Sequence, residues 1–512
     1  MPASAMAAAR YASPTGSGSA CTLAAPCGLV TAVNSAQNGD DVTIEPGSYA
    51  VTNTLDDNGF SLMIHGQAGA ARPVITNSST IGMELLGAAS SVSDLELDIT
   101  SSSNPGLIAA SSNDRVDRVF VKVTNSSNSD AACDLAGTMT DSVCWTNATN
   151  GIAVLNSTLD TGATVTLRND TLDATGGGNS VGVRAAAAAA GAHPSIALVN
   201  SIAHGLSQDV LAENAGGDSA VVTADHSNFA TSMATGSGAS VPAPGSGTNQ
   251  TSSPQFVNAV SGDFHELAAS PTVDAGVDSV LNGSLDFDGL PRTMGAHTDI
   301  GAFEYPVTVC QPASANTPFG KAVNVQLQCA DPSGAPITSY TVVTPPSHGS
   351  VSVNSTGTAS YTPASGYSGP DTFTFDATSA HGAGAPATAT VTVALPVPPQ
   401  LTQVKQSHPR WREGRKLARF ASGTNAVGTT FRFTLSESAT VQFAFKQQKC
   451  RRRCAKGTLT YTAGAGAHKL RFQGRLSKHK KLPPGRYTLT ITATNAAGQR
   501  ATAKLNFTIV KE

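Results

Sequence analysis

Val92-Ser-Asp-Leu-Glu-Leu97 and Val116-Asp-Arg-Val-Phe-Val121 begin 24 residues apart and carry apolar residues at matching places. Alternation at period two marks each as a strand with one buried face. A shorter strand precedes each: Ile81-Gly-Met-Glu-Leu85 before the first and Gly106-Leu-Ile-Ala109 before the second. The pair recurs as Gly151-Ile-Ala-Val154 with Val165-Thr-Leu-Arg-Asn-Asp-Thr-Leu172, and as Val181-Gly-Val183 with Ile196-Ala-Leu-Val-Asn-Ser-Ile202. A last copy is Asp209-Val-Leu-Ala212 with Val221-Val-Thr-Ala-Asp-His-Ser-Asn-Phe229. Spacing widens along the chain, as insertions at turns produce. One such unit cannot bury its Val, Ile and Leu alone. Coils stacked ~4.8 Å apart pair their strands and merge those side chains into one core. Asn169 and Asn200 fall at one place in the repeat, where stacked amides can hydrogen-bond along the coil axis. Residues 124–150, which hold Cys133 and Cys144, break the repeat and read as an insertion projecting as a disulfide-closed loop.

Upstream, Cys27-Gly-Leu-Val-Thr-Ala-Val33 reads as a short amphipathic helix, followed by the Asn38-Gly39-Asp40 turn and the strand Val42-Thr-Ile44. A helix leading into such a strand is similar to the way many parallel β-helices begin, with the helix covering open strand edges. Residues 1–19 read as a disordered N-terminal segment. Downstream, five motifs occur in order: Ser253-Pro-Gln-Phe-Val-Asn258, Gly262-Asp-Phe-His-Glu-Leu267, Ser270-Pro-Thr-Val-Asp-Ala-Gly276, Asp286-Phe-Asp-Gly-Leu-Pro-Arg292 and Asp299-Ile-Gly-Ala-Phe-Glu-Tyr305. This run resembles the closing segment of bacterial right-handed β-helix surface proteins of the choice-of-anchor type. The resemblance implies a pectin-lyase-like fold for residues 20–305 and implies no activity. Residues 306–397, with Pro346-Ser-His-Gly-Ser-Val351 and a Tyr- and Phe-rich strand pair after Tyr361, resemble a bacterial cadherin-like or immunoglobulin-like sandwich, a typical spacer. Residues 398–512 alternate cleanly in Val427-Gly-Thr-Thr-Phe-Arg-Phe-Thr-Leu435 and Arg486-Tyr-Thr-Leu-Thr-Ile-Thr-Ala493. They resemble C-terminal fibronectin-like domains of secreted proteins from high-GC bacteria. The expected fold class is all-β: a right-handed parallel β-helix followed by two β-sandwich domains.

Composition agrees with many short strands and polar turns. Aromatic residues make up 5% of the 512 and charged residues 13%, and Gly numbers 49. The eight Cys fall into local pairs, Cys21–Cys27, Cys133–Cys144, Cys310–Cys329 and Cys450–Cys454, with none left over. None has the second half-site that zinc requires, so disulfides in an oxidising compartment are expected. Residues 1–20 lack the apolar core of a secretory leader, and no later stretch is long enough to span a membrane. The cysteines nevertheless place the protein at the cell surface or outside the cell.

Net charge is −3, but residues 400–512 hold 23 of the 32 Lys and Arg and 3 of the 35 Asp and Glu. That stretch carries +20 and the remainder −23. Its basic clusters are Arg410 and Arg412 with Arg415 and Lys416, then Lys449 with Arg451, Arg452 and Arg453, and finally Lys478, Lys480 and Lys481. Such a lobe fits attachment to anionic cell-envelope polymer or acidic polysaccharide. The competing reading is a solvated face with no partner. The modules and stacking aromatics of nucleic-acid binding are missing.

Candidate chemistry gathers on two adjacent coils. Asp94, Glu96 and Asp98 alternate with Leu95 and Leu97, and a 24-residue register sets Asp94 beside Arg118 and Asp98 beside Lys122. Polysaccharide lyases on such a fold use acids to hold a cation and a base to take a proton, and glycosidases need two carboxylates at set separations. The competing and favoured reading is a ladder of ion pairs that keeps coils in register. Asp286 and Asp288, with Asp299, are candidate calcium ligands weighed against an ordinary Asp/Gly turn; no other cofactor is indicated. Gly39-Asp40-Asp41, His65-Gly66 and His204-Gly205 are motif fragments of the kind that chance supplies. No nucleophile elbow is present. Two functions follow: a noncatalytic glycan- or envelope-binding adhesion scaffold, which leads because the legible motifs are structural, and a secreted lyase or hydrolase with its groove at Asp94, Glu96, Asp98, Arg118 and Lys122.

Overall fold

The computed structural model describes residues 7–78, 81–100, 105–124, 131–157, 164–420, 427–449 and 453–510, with the side chains of 419 and 420 set aside. It is all-β with one short α-helix, Leu29–Asn34, among the described residues. The chain divides into two compact units. One holds residues 1–310 with 329–339 and 376–385; the other holds the remainder.

The first unit is a parallel β-solenoid of about seven turns. One sheet runs through Ala9–Ala12, Asp41–Ile44, Met63–Gly66, Ser91–Ile99, Arg115–Val123, Thr138–Thr140, Thr164–Arg168, Ser195–Val199 and Ala220–Asp225. Ser91–Ile99 and Arg115–Val123 each bend at a corner. Their second halves continue on an adjoining face with Val74–Asn77, Val143–Thr146, Thr171–Ala174 and Ile202–Gly205. The opposite sheet has eight strands, from Leu55–Asp56 to Ser232–Thr235. The expected 24-residue register holds: Leu95 pairs with Val119, Leu97 with Val121 and Asp98 with Lys122.

Inward residues form columns. In the eight-stranded sheet Leu55, Met83, Leu107, Cys133, Val154, Val183 and Val210 stack in register, and each is 0% exposed. On the other side Leu97, Val121, Cys144 and Leu172 do the same. This corrects the reading of residues 124–150 as a projecting loop. Ala131–Leu135, Thr138–Thr140 and Val143–Thr146 form a complete coil. The Cys133–Cys144 disulfide spans its core, because both cysteines occupy small apolar places in those columns. Cys21–Cys27 and Cys310–Cys329 are also bridged; Cys450 lies outside the described residues. Part of the segment expected to be disordered is ordered: Ala9–Ala12 pairs with Asp41–Ile44 and covers the first edge of the sheet.

The corner is the most regular feature. Asp94, Arg118, Asp141, Asn169, Asn200 and His226 stack there, each in the left-handed region with φ between 45° and 55°. Asn and Asp tolerate that conformation; most residues pay about 1–2 kcal/mol for it. Asn200 donates to Asn169 Oδ1 at 3.1 Å, and Asn169 donates to Asp141 Oδ1 at 3.1 Å. A second file of side chains serves the backbone. The N–H groups of Val119, Ser142, Asp170 and Ser201 donate to Ser142 Oγ, Asp170 Oδ1, Ser201 Oγ and Ser227 Oγ of the next coil.

After the solenoid, Ala313–Thr317, Ala387–Val393, Gly369–Ser379 and Ser339–Thr344 form one sheet, and Val323–Gln326, Thr358–Pro363 and Gly349–Val353 another. Tyr361, Phe373, Phe375 and Val391 are buried. Two further sheets follow, of which the larger contains Arg410–Arg412, Arg500–Val510, Gly485–Thr494, Ala439–Gln447 and Lys456–Ala463. Phe431, Phe433, Phe443, Phe445, Phe472 and Phe507 fill the core of that lobe.

Asn200 is fully buried and makes three hydrogen bonds, so its replacement separates the backbone cost of the corner from its bonding. Asn200→Ala is expected to lower unfolding stability by about 3 kcal/mol, from lost buried bonds and left-handed strain together. Asn200→Gly keeps the loss of bonds and removes the strain, so it is expected to be about 1 kcal/mol milder. Equal denaturant midpoints for the two variants would contradict a left-handed corner.

Candidate functional site

The acids singled out on the two coils are placed as the register requires, and two of the three are neutralised. Arg118 donates from Nε and Nη2 to Asp94 at 2.8 and 3.0 Å, and its Nη1 lies 2.6 Å from Asp117. Lys122 Nζ lies 3.8 Å from Asp98 and 5.6 Å from the centre of the Trp145 ring. Glu96 sits opposite Phe120 with no basic group within 4 Å among the described residues; burial, then the neighbouring Asp98, raises its pKa.

The closing segment lies over part of this face. Phe264, Phe287 and Phe303 pack with Val143 and Trp145, and the Phe120 ring meets Phe287 edge-on. Arg72 lies over the Phe287 ring at 3.7 Å. Asp288 joins Arg72 at 3.9 Å and His265 at 2.7 Å, while both oxygens of the buried Asp286 accept backbone N–H groups, from Leu290 and Glu304. Asp299 accepts from Asp274 and Tyr305. The three aspartates thus serve turns and ion pairs, and no group of three or more His, Cys, Asp or Glu is placed to hold a metal among the described residues. Arg292, 2% exposed, stands between Asp141 at 3.3 Å and Glu304 at 3.4 Å and donates to the carbonyls of Ala302, Asp299 and Gly301.

A site not singled out from sequence lies further along the same face. Strand register carries the outward row Asp98, Lys122, Trp145, Asp173, His204 across five coils. At its far end Asp173 Oδ2 accepts from His204 Nδ1 at 2.9 Å, and Thr175 Oγ1 donates to Asp173 Oδ1 at 2.8 Å. The Asp173 side chain is 1% exposed and that of His204 52%. The buried carboxylate therefore orients an accessible imidazole, and their hydrogen bond raises the His204 pKa. His204 borders a pocket of about 480 Å³ that Asn228, Thr251, Phe256 and Val260 also line. Asp209 stiffens its floor by accepting the backbone N–H groups of Gly205, Ala230 and Thr231. The dipeptide His204-Gly205 was legible as a fragment; the signal that gives it a partner is the 31-residue spacing from Asp173, which equals that from Asn169 to Asn200.

Of the other fragments, Asp40 caps the first turn by accepting from Ala8 and Gln37, and His65 pairs with Asp41 at 2.7 Å. In the basic lobe, exposed Arg410 and Arg412 flank buried Trp411 on one strand. Lys481 is paired with Glu413 at 2.7 Å, Lys478 and Lys480 lie on an exposed loop, and Arg453 is exposed. Arg451 and Arg452 lie outside the described residues.

Residues 304–394 match the model of a bacterial Ig domain family. No curated protein matches the chain. Among solved structures it is similar to the pectate lyase Pel9A, at 15% identity over 58% of this chain and 96% of that one, with a TM-score of 0.35. It is also similar to Drosophila N-cadherin EC1-4, at 14% identity over 40% of this chain and 51% of that one, TM-score 0.15. The Yersinia pseudotuberculosis adhesin InvE matches at 14% identity over 39% and 58%, TM-score 0.16. The chain spans roughly half the length of these last two. No helix among the described residues is long and apolar enough to cross a membrane.

Within the closing segment, burial pushes the Glu266 carboxyl up to about 8, against donors from Ser270 and Thr272 and with Asp299 and Arg292 nearby. Its folded pKa lies above its unfolded one, so the protonated acid stabilises the fold at low pH. That contribution is lost as pH rises from about 4.5 through about 8. His265, held by Asp288 and Asp263 and raised to about 9, likewise contributes below pH ~6.5 and fades toward 9. Unfolding stability is therefore expected to fall between pH 5 and 8 (roughly the Glu266 range), and Glu266→Gln to flatten that fall while matching the parent protein at pH 5. Parallel pH profiles for the two proteins would remove Glu266 as the cause.

Proposed function

We propose that the chain is an extracellular, noncatalytic glycan-binding scaffold of a bacterial surface, with the solenoid of residues 20–305 as the recognition body, residues 306–397 as a spacer and the basic residues 398–512 as an attachment to the envelope. The observation that carries this reading is the pairing of Asp94 with Arg118 and of Asp98 with Lys122. Acids neutralised by neighbours one coil away hold register, and of the three acids on this row only Glu96 is without a base within ion-pair distance among the described residues, short of the two free carboxylates that hydrolysis uses. Three disulfides and the Ig-type module support work outside the cytoplasm.

The pocket at His204 is the seat we assign to a sugar. Its wall mixes apolar surface from Phe256 and Val260 with the imidazole and the Asn228 amide, the combination that suits a ring with one hydrophobic face and hydroxyls at its rim. A second reading, a secreted lyase or hydrolase, is favoured by one observation: a buried carboxylate holding an accessible imidazole is also a way to position a general base.

A panel of plant and bacterial polysaccharides separates the two, scored for binding and for new reducing ends or unsaturated uronates. The scaffold reading expects binding without product, and His204→Ala to weaken binding about tenfold through about 1.4 kcal/mol of lost contact. Product formation abolished by His204→Ala, with binding retained, would move the protein to the enzyme class.

A further inference from the structure

The basic lobe contains a hollow whose charge has no carboxylate partner among the described residues. Residues 400–512 carry 23 basic side chains against three acids. Glu413 is taken by Lys481, and Glu437 accepts from Asn495. The antiparallel strands Ala439–Gln447 and Lys456–Ala463 place Lys446 directly opposite Lys456. Like charges facing each other across a strand pair repel. Lys480 enters the same hollow from a loop, and Ala444, Thr458 and Leu476 also line the cavity, about 600 Å³. The loop is fixed in place. Leu476 rests on Gly457 so closely that a Cβ there would meet its Cδ1 at 2.1 Å, and Ser477 Oγ accepts the N–H groups of His479 and Lys480. Among the described residues none of the three ammonium groups has a carboxylate within ion-pair distance.

We propose that this hollow binds the phosphodiester groups of an anionic cell-envelope polymer, with Lys446, Lys456 and Lys480 supplying the charge and the apolar wall receiving the polymer's carbon backbone. The inference rests on the envelope-attachment reading and names its site and ligand chemistry. Among the described residues, three lysines and no arginine line the hollow. Lysine binds phosphate as a compact point charge, without the fixed fork that a guanidinium would impose on the approach of a flexible phosphodiester chain. Nucleic acid has the same phosphodiester but needs faces on which bases stack. Phe445 is 2% exposed, and the other phenylalanines of this core are equally covered. A polyol chain needs no such platform.

The test uses the full chain and three immobilised probes: poly(glycerol phosphate), polygalacturonate and oligodeoxythymidine. The parent protein is expected to prefer poly(glycerol phosphate) and to release it as salt rises. The triple variant Lys446→Gln, Lys456→Gln, Lys480→Gln is expected to bind about tenfold more weakly, with a log–log salt slope shallower by roughly two. Preference for either other probe overturns the phosphodiester-polymer assignment. Unchanged binding by the variant overturns the site and leaves envelope attachment standing. No binding of any probe by the parent protein overturns both. Without ligand at low salt, Lys456→Gln is expected to raise the thermal midpoint because repulsion is relieved; a fall would mean the lysine pair serves the fold.

Discussion

A strand that turns a corner inside a stack leaves a backbone N–H pointing where no ladder partner can reach it. Left buried and unbonded, each such group costs about 1–3 kcal/mol. This protein meets the demand at the same place on successive coils. The residue after the left-handed corners at Asp141, Asn169, Asn200 and His226 supplies Ser142 Oγ, Asp170 Oδ1, Ser201 Oγ or Ser227 Oγ to the coil before it. The corner side chains then link along the axis through Asp141, Asn169 and Asn200. Because the turn occurs at one point on six successive coils, the two halves of each turn keep their faces there. What points outward on one coil points outward on the next.

That constancy explains both what could be read from the sequence and what could not. The 24-residue echo between Val92 and Val116 fixed the pairing of Asp98 with Lys122, since no insertion separates those coils. The coil from Ala131 to Thr146 was misread because its core positions are filled by Ala and Cys rather than by large aliphatic residues, and a close cysteine pair looks like the neck of a loop. The pairing of His204 with Asp173 is a different failure. The repeat of Asn169 at Asn200 already contained it, but an insertion had shifted the spacing from 24 to 31 residues. The closing segment's aromatic contacts with Val143 and Trp145 join residues more than a hundred positions apart, and no local pattern announces them.

Charge in the molecule is sorted by environment. Asp94 and Asp98 on the solenoid surface find bases one coil away; within the closing segment Glu266 and Glu304 are buried and shift toward neutrality. Arg292 sits among them with its side chain 2% exposed, and its hydrogen bonds to three carbonyls hold the segment's own turn as well as its seat on the corner. The basic lobe has few acids with which to repeat this arrangement, and its charge stays available to something outside the chain.

The closing segment does not end where the last coil ends. It doubles back and is bonded to the corner at Asp141, Asn169 and Asn200 and to Arg168 and Thr171. Everything downstream of Tyr305 is therefore tethered through a strap riveted across the middle of the stack. A pull passed along the chain from beyond Tyr305 therefore reaches these contacts before it reaches the terminal coil.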